Sequence, residues 1–149
     1  MANIGLIGAG DMGFEMAKNL LDAGHKLSVF DVREEPLKEL EKLGATPATT
    51  PREVGGRSSC VFVMVLTGEQ AREATAGREG LLEGLTAGST IIYTATIGQP
   101  IMLEIAAAVT ARGVHVIDSP VSGSTPRAKT GPLTMMPSGQ REIYEQCLP

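Results

Sequence analysis

The sequence predicts an α/β fold with a doubly wound, mostly parallel sheet. Short apolar runs rich in β-branched residues alternate with amphipathic stretches along all 149 residues. This alternation is typical of right-handed βαβ units. Several of the 18 glycines fall where a predicted helix ends, which is a common way to stop a helix. No linker or repeat divides the chain, and its length suits one domain. We therefore expect one domain over residues 1–149.

The first half of the chain predicts four strands and two long helices. Met12, Met16 and Leu20 recur every four residues and share one helix face. Residues 60–66 are all apolar, as in a parallel strand that is covered on both faces. The predicted strands are residues 3–8, 26–31, a short one within 45–50, and 60–66. The predicted helices are residues 12–23 and 34–43, with a helical turn at 51–55.

The second half predicts weaker elements and a long loop. Residues 69–85 have helical character that Gly77 and Gly80 interrupt. Residues 89–94 and 114–117 predict strands, and a strong helix covers 99–112 between them. Residues 119–132 are rich in Ser, Gly, Thr and Pro and predict a loop. Residues 133–136 predict an edge strand. Ser138 has the character of an N-cap that opens a final helix, with Glu142 in its first turn.

Composition and charge exclude several functional classes. The net charge of −4 argues against a nucleic-acid partner. The longest apolar run has seven residues, whereas a membrane-spanning helix needs about 20. The N-terminus has no basic segment of the kind that begins a signal peptide. Two cysteines and two histidines, all isolated in the sequence, predict neither a disulfide scaffold nor a metal site. We expect a cytoplasmic protein with reduced thiols and no membrane contact.

A glycine-rich turn lies between the first predicted strand and the first helix. Residues 8–13 read Gly-x-Gly-x-x-Gly, and the strand before and helix after make this short pattern specific. Gly8 permits the tight turn, Gly10 leaves the backbone open to a pyrophosphate, and Gly13 lets helix and strand pack closely. The free N–H groups at the helix start then bind phosphate. The predicted phosphate-binding residues are Gly8, Ala9, Gly10, Asp11, Met12 and Gly13.

An acidic residue ends the second predicted strand, as a dinucleotide-binding turn requires. Asp31 lies 18 residues after Gly13, and its carboxylate can accept hydrogen bonds from both ribose hydroxyls of an adenosine. The same charge repels a 2′-phosphate, so Asp31 predicts NAD as the cofactor. Arg33 keeps NADP as the alternative, because its guanidinium can reach over a 2′-phosphate. Together these residues predict a Rossmann-type domain.

Two longer segments resemble the β-hydroxyacid dehydrogenase family, which includes 3-hydroxyisobutyrate dehydrogenases and tartronate semialdehyde reductases. Residues 4–13 (IGLIGAGDMG) and 16–20 (MAKNL) are similar to its N-terminal signature. Residues 118–123 (DSPVSG), with Gly131, Leu133, Thr134 and Met136 after them, resemble its substrate-site motif. The resemblance covers the whole chain. It implies the NAD-binding domain, of the 6-phosphogluconate dehydrogenase type, of an oxidoreductase that transfers a hydride between nicotinamide and a small 3-hydroxy acid.

The resemblance also implies roles for residues that motif spacing alone does not single out. Val65 and Leu66 would line the nicotinamide side of the cofactor, Gln70 would contact it, and Thr96 would contact its ribose. Ser122 and Gly123 would bind the substrate carboxylate. Ser124 replaces the family's second glycine, and Pro126-Arg127 replaces a pair of small residues. These departures restrict the substrate loop.

Members of that family are longer and carry a helical second domain with the catalytic lysine and most of the dimer interface. None of the five lysines here matches the catalytic position: Lys18, Lys26, Lys38, Lys42 and Lys129. We therefore expect that the C-terminal helical domain and the last strand of the cofactor domain are absent, so that the chain has no catalytic residue of its own. The uncovered sheet edge predicts a homo-oligomer.

Other readings of the same residues stay open. The chain could bind a dinucleotide without turnover, or could be a non-binding remnant that serves assembly. It could also be the cofactor domain of an imine reductase or of a 6-phosphogluconate dehydrogenase. The segment Pro120-Val121-Ser122-Gly123 weighs against an imine reductase.

Overall fold

The computed structural model describes residues 2–131 and 133–147. Its strands alternate with helices along the chain. The strands are β1 Asn3–Ile7, β2 Lys26–Phe30, β3 Thr46–Pro47, β4 Cys60–Val63, β5 Thr90–Tyr93, β6 His115–Asp118, β7 Val121–Ser122, β8 Thr134–Met135 and β9 Ser138–Gly139. The helices are α1 Asp11–Asp22, α2 Glu34–Lys42, α3 Pro51–Arg57, α4 Gly68–Ala76, α5 Gln99–Thr110, α6 Ser124–Thr130 and α7 Arg141–Gln146, with a 3₁₀ turn at Leu81–Glu83.

A seven-stranded sheet with the order β3-β2-β1-β4-β5-β6-β9 forms the centre of the molecule. All pairs from β3 to β6 are parallel, and β9 is antiparallel to β6. The strand order reverses at β1, which pairs with both β2 and β4. This confirms the predicted doubly wound, mostly parallel α/β fold. Ligands in such sheets bind beyond the carboxyl ends of the strands, at the point of reversal.

The two faces of the sheet bury separate apolar clusters, because neighbouring side chains on a strand point to opposite faces. Leu6 packs in one cluster with residues of β2 and α2, including the fully buried Leu40. Ile7 packs in the other cluster with residues of β4, β5, α4 and α5. In that second cluster the Tyr93 and Thr75 hydroxyl oxygens lie 2.7 Å apart and form a buried hydrogen bond. These two clusters hold the helices on both faces of the sheet against its strands.

A smaller cluster closes the β6 side of the sheet. Ile143 of α7 packs on Ile92 and Ile117, and Cys60 and Cys147 lie against the same group. Burial, with a smaller contribution from neighbouring Cys147, raises the pKa of the Cys60 thiol to about 12. That thiol is therefore protonated at neutral pH.

The prediction of a loop over residues 119–132 is wrong for most of that segment. It contains β7, which pairs antiparallel with β8, and the helix α6; Pro132 lies outside the described residues. Local composition did not indicate a helix because the stabilising contact is distant in sequence. The Asn19 side-chain amide donates to the carbonyl of Ala128, 109 residues away, over 2.6 Å.

The predicted N-cap at Ser138 is also wrong. Ser138 pairs with Asp118, and Gly139 pairs with Ile117, in the antiparallel edge strand β9. The final helix begins later, at Arg141, with Gln140 as its N-cap residue and Glu142 in its first turn as expected. The predicted edge strand at 133–136 corresponds to β8, which pairs with β7 rather than with the central sheet. The last strand of the cofactor domain, which we expect to be absent, would follow Cys147, and that position lies outside the described residues.

The other predicted elements are present with boundaries shifted by a few residues. The stretch at 69–85 is the helix α4 followed by the 3₁₀ turn, and the break between them includes Gly77 and Gly80. Among the described residues, no helix has the length and apolar character needed to span a bilayer.

Candidate functional site

A cavity of about 880 Å³ opens at the carboxyl ends of β1, β2 and β4, where the strand order reverses. Its position is the one that the fold predicts for a ligand. Ten of the residues predicted to bind the cofactor line it: Gly8, Gly10, Asp11, Met12, Gly13, Asp31, Arg33, Val65, Leu66 and Gln70. Ala9 lines a smaller neighbouring cavity. The structure therefore brings together residues that are far apart in the sequence.

The three glycines of the turn meet different surroundings. Gly8 has φ +93°, and a Cβ there would overlap the carbonyl oxygen of Met64. A Cβ on Gly13 would overlap the carbonyl oxygen of Gly8. At Gly10 the nearest atom to such a Cβ is Nη2 of Arg33, 3.9 Å away. The fold thus requires Gly8 and Gly13, whereas the open space at Gly10 is free for a ligand.

Helix α1 starts at the floor of this space. Gly10 is its N-cap residue, and no side chain caps the helix. The first N–H groups of an α-helix have no partner within the helix, and the positive end of its dipole attracts anions. The turn therefore offers backbone donors and room for a phosphate group at the same place.

Asp31 is held by several donors at the end of β2. Its carboxylate accepts from the backbone N–H of Ala9 at 2.7 Å and from that of Arg33 at 2.9 Å. The Arg33 guanidinium adds a bond from Nε at 3.1 Å. The side chain of Asp31 is only 7% exposed. Burial by itself raises the pKa of Asp31, but the bonds from Arg33 and Ala9 outweigh it and hold that pKa below 3.8. Asp31 is therefore ionised at neutral pH.

Arg33 lies over the glycine turn. Its Nη2 donates to the carbonyl of Ala9 at 3.3 Å, and its side chain is 55% exposed. Asp31 raises the pKa of the Arg33 guanidinium through the hydrogen bond and its charge. The Asp31 carboxylate thus faces the cavity as part of an ion pair, a feature that the sequence did not predict.

Gln70 has a structural contact as well as a place in the cavity wall. Its Oε1 accepts from the backbone N–H of Leu66 at 2.9 Å and of Thr67 at 3.2 Å. The Thr67 hydroxyl accepts from the backbone N–H of Gln70 at 3.2 Å. This reciprocal pair is a capping box that fixes the start of α4. Among the described residues the Gln70 amide nitrogen has no hydrogen-bond partner, so it remains as a donor for a ligand.

Two apolar side chains form the rim of the cavity. Val32 follows β2, Leu66 follows β4, and each is 89% exposed. Large apolar side chains this exposed at a concave surface favour contact with an apolar or aromatic ligand group. Sequence reasoning predicted Leu66 here but not Val32.

Sequence reasoning also missed the far wall of the cavity and one residue from the substrate loop. Glu73 and Glu79 line the far wall, and Glu79 lies 3.8 Å from Nη1 of Arg52. Glu73 follows Gln70 by three residues, so both side chains lie on one face of α4. That spacing could have predicted Glu73 as a residue of the cavity wall. Thr125 of α6 lines both cavities. No local signal indicated Thr125, because α6 itself was not predicted.

The structure does not bring the remaining predicted residues to the cavity wall. Thr96 is exposed after β5, and Ser122, Gly123 and Ser124 lie at the junction of β7 and α6. Gly123 has φ +138° and Ser124 has φ 55°. The stem of Arg127 packs over the place where a Gly123 side chain would stand, with Cδ 2.8 Å from that position. The junction of β7 and α6 thus carries a cationic side chain beside Gly123.

The described residues offer no metal centre. They include no group of three or more His, Cys, Asp or Glu side chains placed to hold an ion. None of the described residues that line the larger cavity is a lysine.

A family model decides the identity of the domain. Residues 3–149 match the family described as the NAD binding domain of 6-phosphogluconate dehydrogenase. The chain belongs to this family. The match confirms NAD as the predicted class of cofactor, and the residues present fit it, because the open space at Gly10 adjoins the free N–H groups of α1.

The relatives of this NAD-binding domain confirm the resemblance to β-hydroxyacid dehydrogenases. An L-threonate dehydrogenase of Cupriavidus necator is 34% identical over 95% of the chain and 48% of its own length. A 3-sulfolactaldehyde reductase of Escherichia coli is 36% identical over 100% of the chain and 50% of its own length. The crystal structure of a 3-hydroxyisobutyrate dehydrogenase from Salmonella typhimurium is 30% identical, with a TM-score of 0.89, and covers 96% of the chain and 50% of that protein.

The chain spans about half the length of the curated relatives it matches. An imine reductase from Myxococcus stipitatus, 23% identical with a TM-score of 0.84, shares the fold.

Proposed function

We propose that the chain is the dinucleotide-binding part of an oxidoreductase that acts on the CH–OH group of a small 3-hydroxy acid. The observation that carries this proposal is the open space at Gly10, which lies above the start of α1 in the cavity at the strand reversal. Bound nicotinamide supplies the hydride acceptor or donor in this chemistry. The chain's own contribution is to bind the cofactor and to position one side of the substrate.

Each part of the cavity suits one part of a dinucleotide. The residues from Gly8 to Gly13 bind the pyrophosphate, and Asp31 accepts hydrogen bonds from the adenosine ribose. Val32 and Leu66 supply apolar contact at the rim, where each is 89% exposed. Gln70 donates its free amide. Val65 of the cavity wall lies toward the nicotinamide, and Thr96, which is outside that wall, contacts the cofactor ribose in this proposal.

The ion pair at the end of β2 favours NAD over NADP. Asp31 is ionised and 7% exposed, so a 2′-phosphate would meet a buried negative charge. Arg33 already bonds to this carboxylate through Nε at 3.1 Å. Binding a 2′-phosphate would require Arg33 to leave that carboxylate, which then stays buried with fewer partners.

The substrate lies at the junction of β7 and α6. Ser122 offers a hydroxyl, and Gly123 and Ser124 offer backbone N–H groups, which suit a carboxylate. Arg127 adds positive charge beside Gly123, against which its stem packs. Among the described residues Arg78 and Arg127 have no carboxylate within 4.0 Å, whereas Arg33, Arg52, Arg57, Arg72, Arg112 and Arg141 are each paired; of the two, Arg127 lies beside Gly123. A free cation here supports an anionic substrate.

The remaining parts of the proposal concern the whole protein. The general acid–base lysine and the second wall of the substrate site come from outside this chain. We place the protein in the cytoplasm. We also propose a homo-oligomer, because among the described residues β9 pairs only with Ile117 and Asp118 of β6, and an edge strand that is not fully paired can pair with a second chain. Nucleic acid and membranes are not partners in this proposal.

Titration with NADH and NADPH, followed by the change in nicotinamide fluorescence, tests the cofactor assignment on the 149-residue chain. We expect NADH to bind at least about tenfold more tightly than NADPH, a difference of about 1.4 kcal/mol. Gly10→Ala should abolish binding while the chain stays folded, because its Cβ meets no protein atom closer than 3.9 Å. Gly98→Ala is the matched control, since open space surrounds that glycine outside the cavity. Equal binding of both cofactors, or a Gly10→Ala variant that binds normally, would contradict the assignment.

A further inference from the structure

Asn19 joins the helix that follows the glycine turn to the helix of the substrate loop. Its Nδ2 donates to the carbonyl of Ala128 in α6 at 2.6 Å and to that of Glu15 in α1 at 2.9 Å. Ala128 is fully buried. One amide group therefore satisfies a carbonyl on each of two helices that are far apart in sequence.

Helix α6 depends on such a contact for its position. It has only seven residues, and glycines with positive φ stand at both ends, Gly123 at +138° and Gly131 at +95°. A helix this short is unstable without tertiary contacts, and the flanking backbone is of the kind that turns freely. The bond from Asn19 is the side-chain hydrogen bond, among the described residues, that ties α6 to the helix α1 on which it packs.

The position of α6 matters because Thr125 lies in its first turn. Thr125 lines both the larger cavity and the smaller one beside it. Gly10, Asp11 and Arg33 also line both cavities. Thr125 therefore stands next to the phosphate-binding turn, although it belongs to the substrate loop. Its exposed side chain carries a hydroxyl, which is a good donor to a phosphate oxygen.

We propose that Thr125 is a contact to the pyrophosphate of the bound dinucleotide and that Asn19 is the positioning residue that holds it there. This inference rests on the proposed function, since it takes the ligand of the turn to be a dinucleotide. It assigns to α6 a role on both sides of the site. Gly123 and Ser124 at the start of α6 face the substrate in this proposal, and Thr125 in its first turn contacts the cofactor beside the glycine turn.

The test is a double-mutant cycle on the 149-residue chain, with the dissociation constant of NADH as the readout. Thr125→Val removes the hydroxyl at constant size and should weaken NADH binding about threefold to tenfold, as expected for one hydrogen bond. Thr125→Ser keeps the hydroxyl and should restore the wild-type affinity. Asn19→Ala should weaken binding by a similar factor. Adding Thr125→Val to Asn19→Ala should have almost no further effect, because both act through one contact.

A second measurement separates positioning from general loss of stability. Alanine favours a helix more than asparagine does, so Asn19→Ala should leave α1 intact. Lys18→Ala, the neighbouring residue on α1, is the matched control and should bind NADH like the wild type. Hydrogen exchange without any dinucleotide should show faster exchange of the Gly131 amide, which bonds to Arg127 in wild type, in Asn19→Ala but not in Lys18→Ala.

Each outcome decides one part of the inference. Unchanged affinity in Thr125→Val, or fully additive effects in the double variant, would overturn it. Failure of the wild-type chain to bind NADH would overturn the proposed function and the Thr125 contact together. Exchange at Gly131 would still decide whether Asn19 holds α6, because it needs no ligand.

Discussion

Single residues in the glycine turn separate folding from binding. Gly8 and Gly13 are fixed by the fold, since a Cβ on either would overlap a backbone carbonyl oxygen. At Gly10 the nearest described atom to such a Cβ is 3.9 Å away, so the fold does not require a glycine there. The sequence pattern predicted all three, because the chemistry of the turn requires a glycine at each position. The pattern does not indicate which glycine can be replaced without unfolding the chain.

Asp31 gives a residue-scale prediction of pH dependence. Its bonds to Arg33 and Ala9 lower its pKa in the folded state below the ordinary value of 3.8. A carboxyl whose folded pKa is depressed stabilises the fold above its unfolded pKa, and that contribution is lost as pH falls toward the folded value. Asp31→Asn should therefore be less stable than wild type near neutral pH, by about 1–3 kcal/mol for bonds to a charged group.

Urea denaturation of both proteins between about pH 7 and about pH 3 measures this difference. The gap in the free energy of unfolding should be constant down to the ordinary pKa of 3.8 and should narrow below it. Glu34→Gln is a control at an exposed carboxylate, which among the described residues is paired only with Lys38, at 2.9 Å, and should change stability little. A gap that stays the same at low pH would show that folding does not lower the pKa of Asp31.

What could be predicted of individual site residues follows from how local their signal is. The turn from Gly8 to Gly13 and the acid at Asp31 are set by contacts within one βαβ unit, so a sequence pattern contains them. The bond between Arg33 and Asp31 depends on a side-chain rotamer. The position of Thr125 depends on α6, in which the Ala128 carbonyl accepts a hydrogen bond from Asn19, 109 residues earlier in the chain. Neither has a local pattern.

At the scale of elements, helix α4 combines a structural cap with a wall of the cavity. Thr67→Ala removes one side of the capping box and should lower stability by about 1 kcal/mol. Gln70→Ala removes the other side, including the bond to the Leu66 N–H at 2.9 Å, and also the free amide that faces the cavity. We expect both variants to melt earlier, and only Gln70→Ala to lose NADH affinity beyond what its lower stability explains.

Thermal melts and NADH titrations on the same samples provide both readouts. Thr67→Ala serves as the matched control, because it weakens the same cap without touching the cavity-facing amide. If the two variants lose affinity equally, Gln70 acts only through the helix start, and its predicted cofactor contact is wrong.

Elements that pack within their own neighbourhood were predictable, and elements fixed by distant pairing were not. The apolar run at 60–66 indicated β4 because burial on both faces leaves a compositional mark. Ser138 has the side chain of an N-cap, yet it pairs with Asp118 in an antiparallel edge strand. The helix propensity of Ser138 depends on its local sequence. The residue that pairs with it in the sheet, Asp118, lies twenty residues upstream and decides in favour of the strand.

At the scale of the whole molecule, the alternation of elements was sufficient to predict the sheet. Parallel strands need crossovers, and the handedness of those crossovers leaves few arrangements. The reversal at β1 then places the cavity without any knowledge of its side chains. The same logic explains why ten of the predicted cofactor contacts, though far apart in sequence, line one cavity at the carboxyl ends of β1, β2 and β4.

The last prediction concerns turnover by the 149-residue chain on its own. The glycine turn and Asp31 lie within the chain, so NADH binding should persist. General acid–base catalysis is worth about 10²–10⁴ in rate, and a second wall excludes water and orients the substrate. Both effects act on the transition state rather than on cofactor binding.

A steady-state assay with 3-hydroxyisobutyrate, glycerate and NAD, using protein freed of host dehydrogenases, should therefore show no significant oxidation. Gly10→Ala is the control for residual signal, since it removes the cofactor contact and leaves any contaminant unaffected. Turnover that survives purification, disappears in Gly10→Ala and is abolished by Lys129→Ala would instead place the catalytic base on α6, beside the loop that binds the substrate.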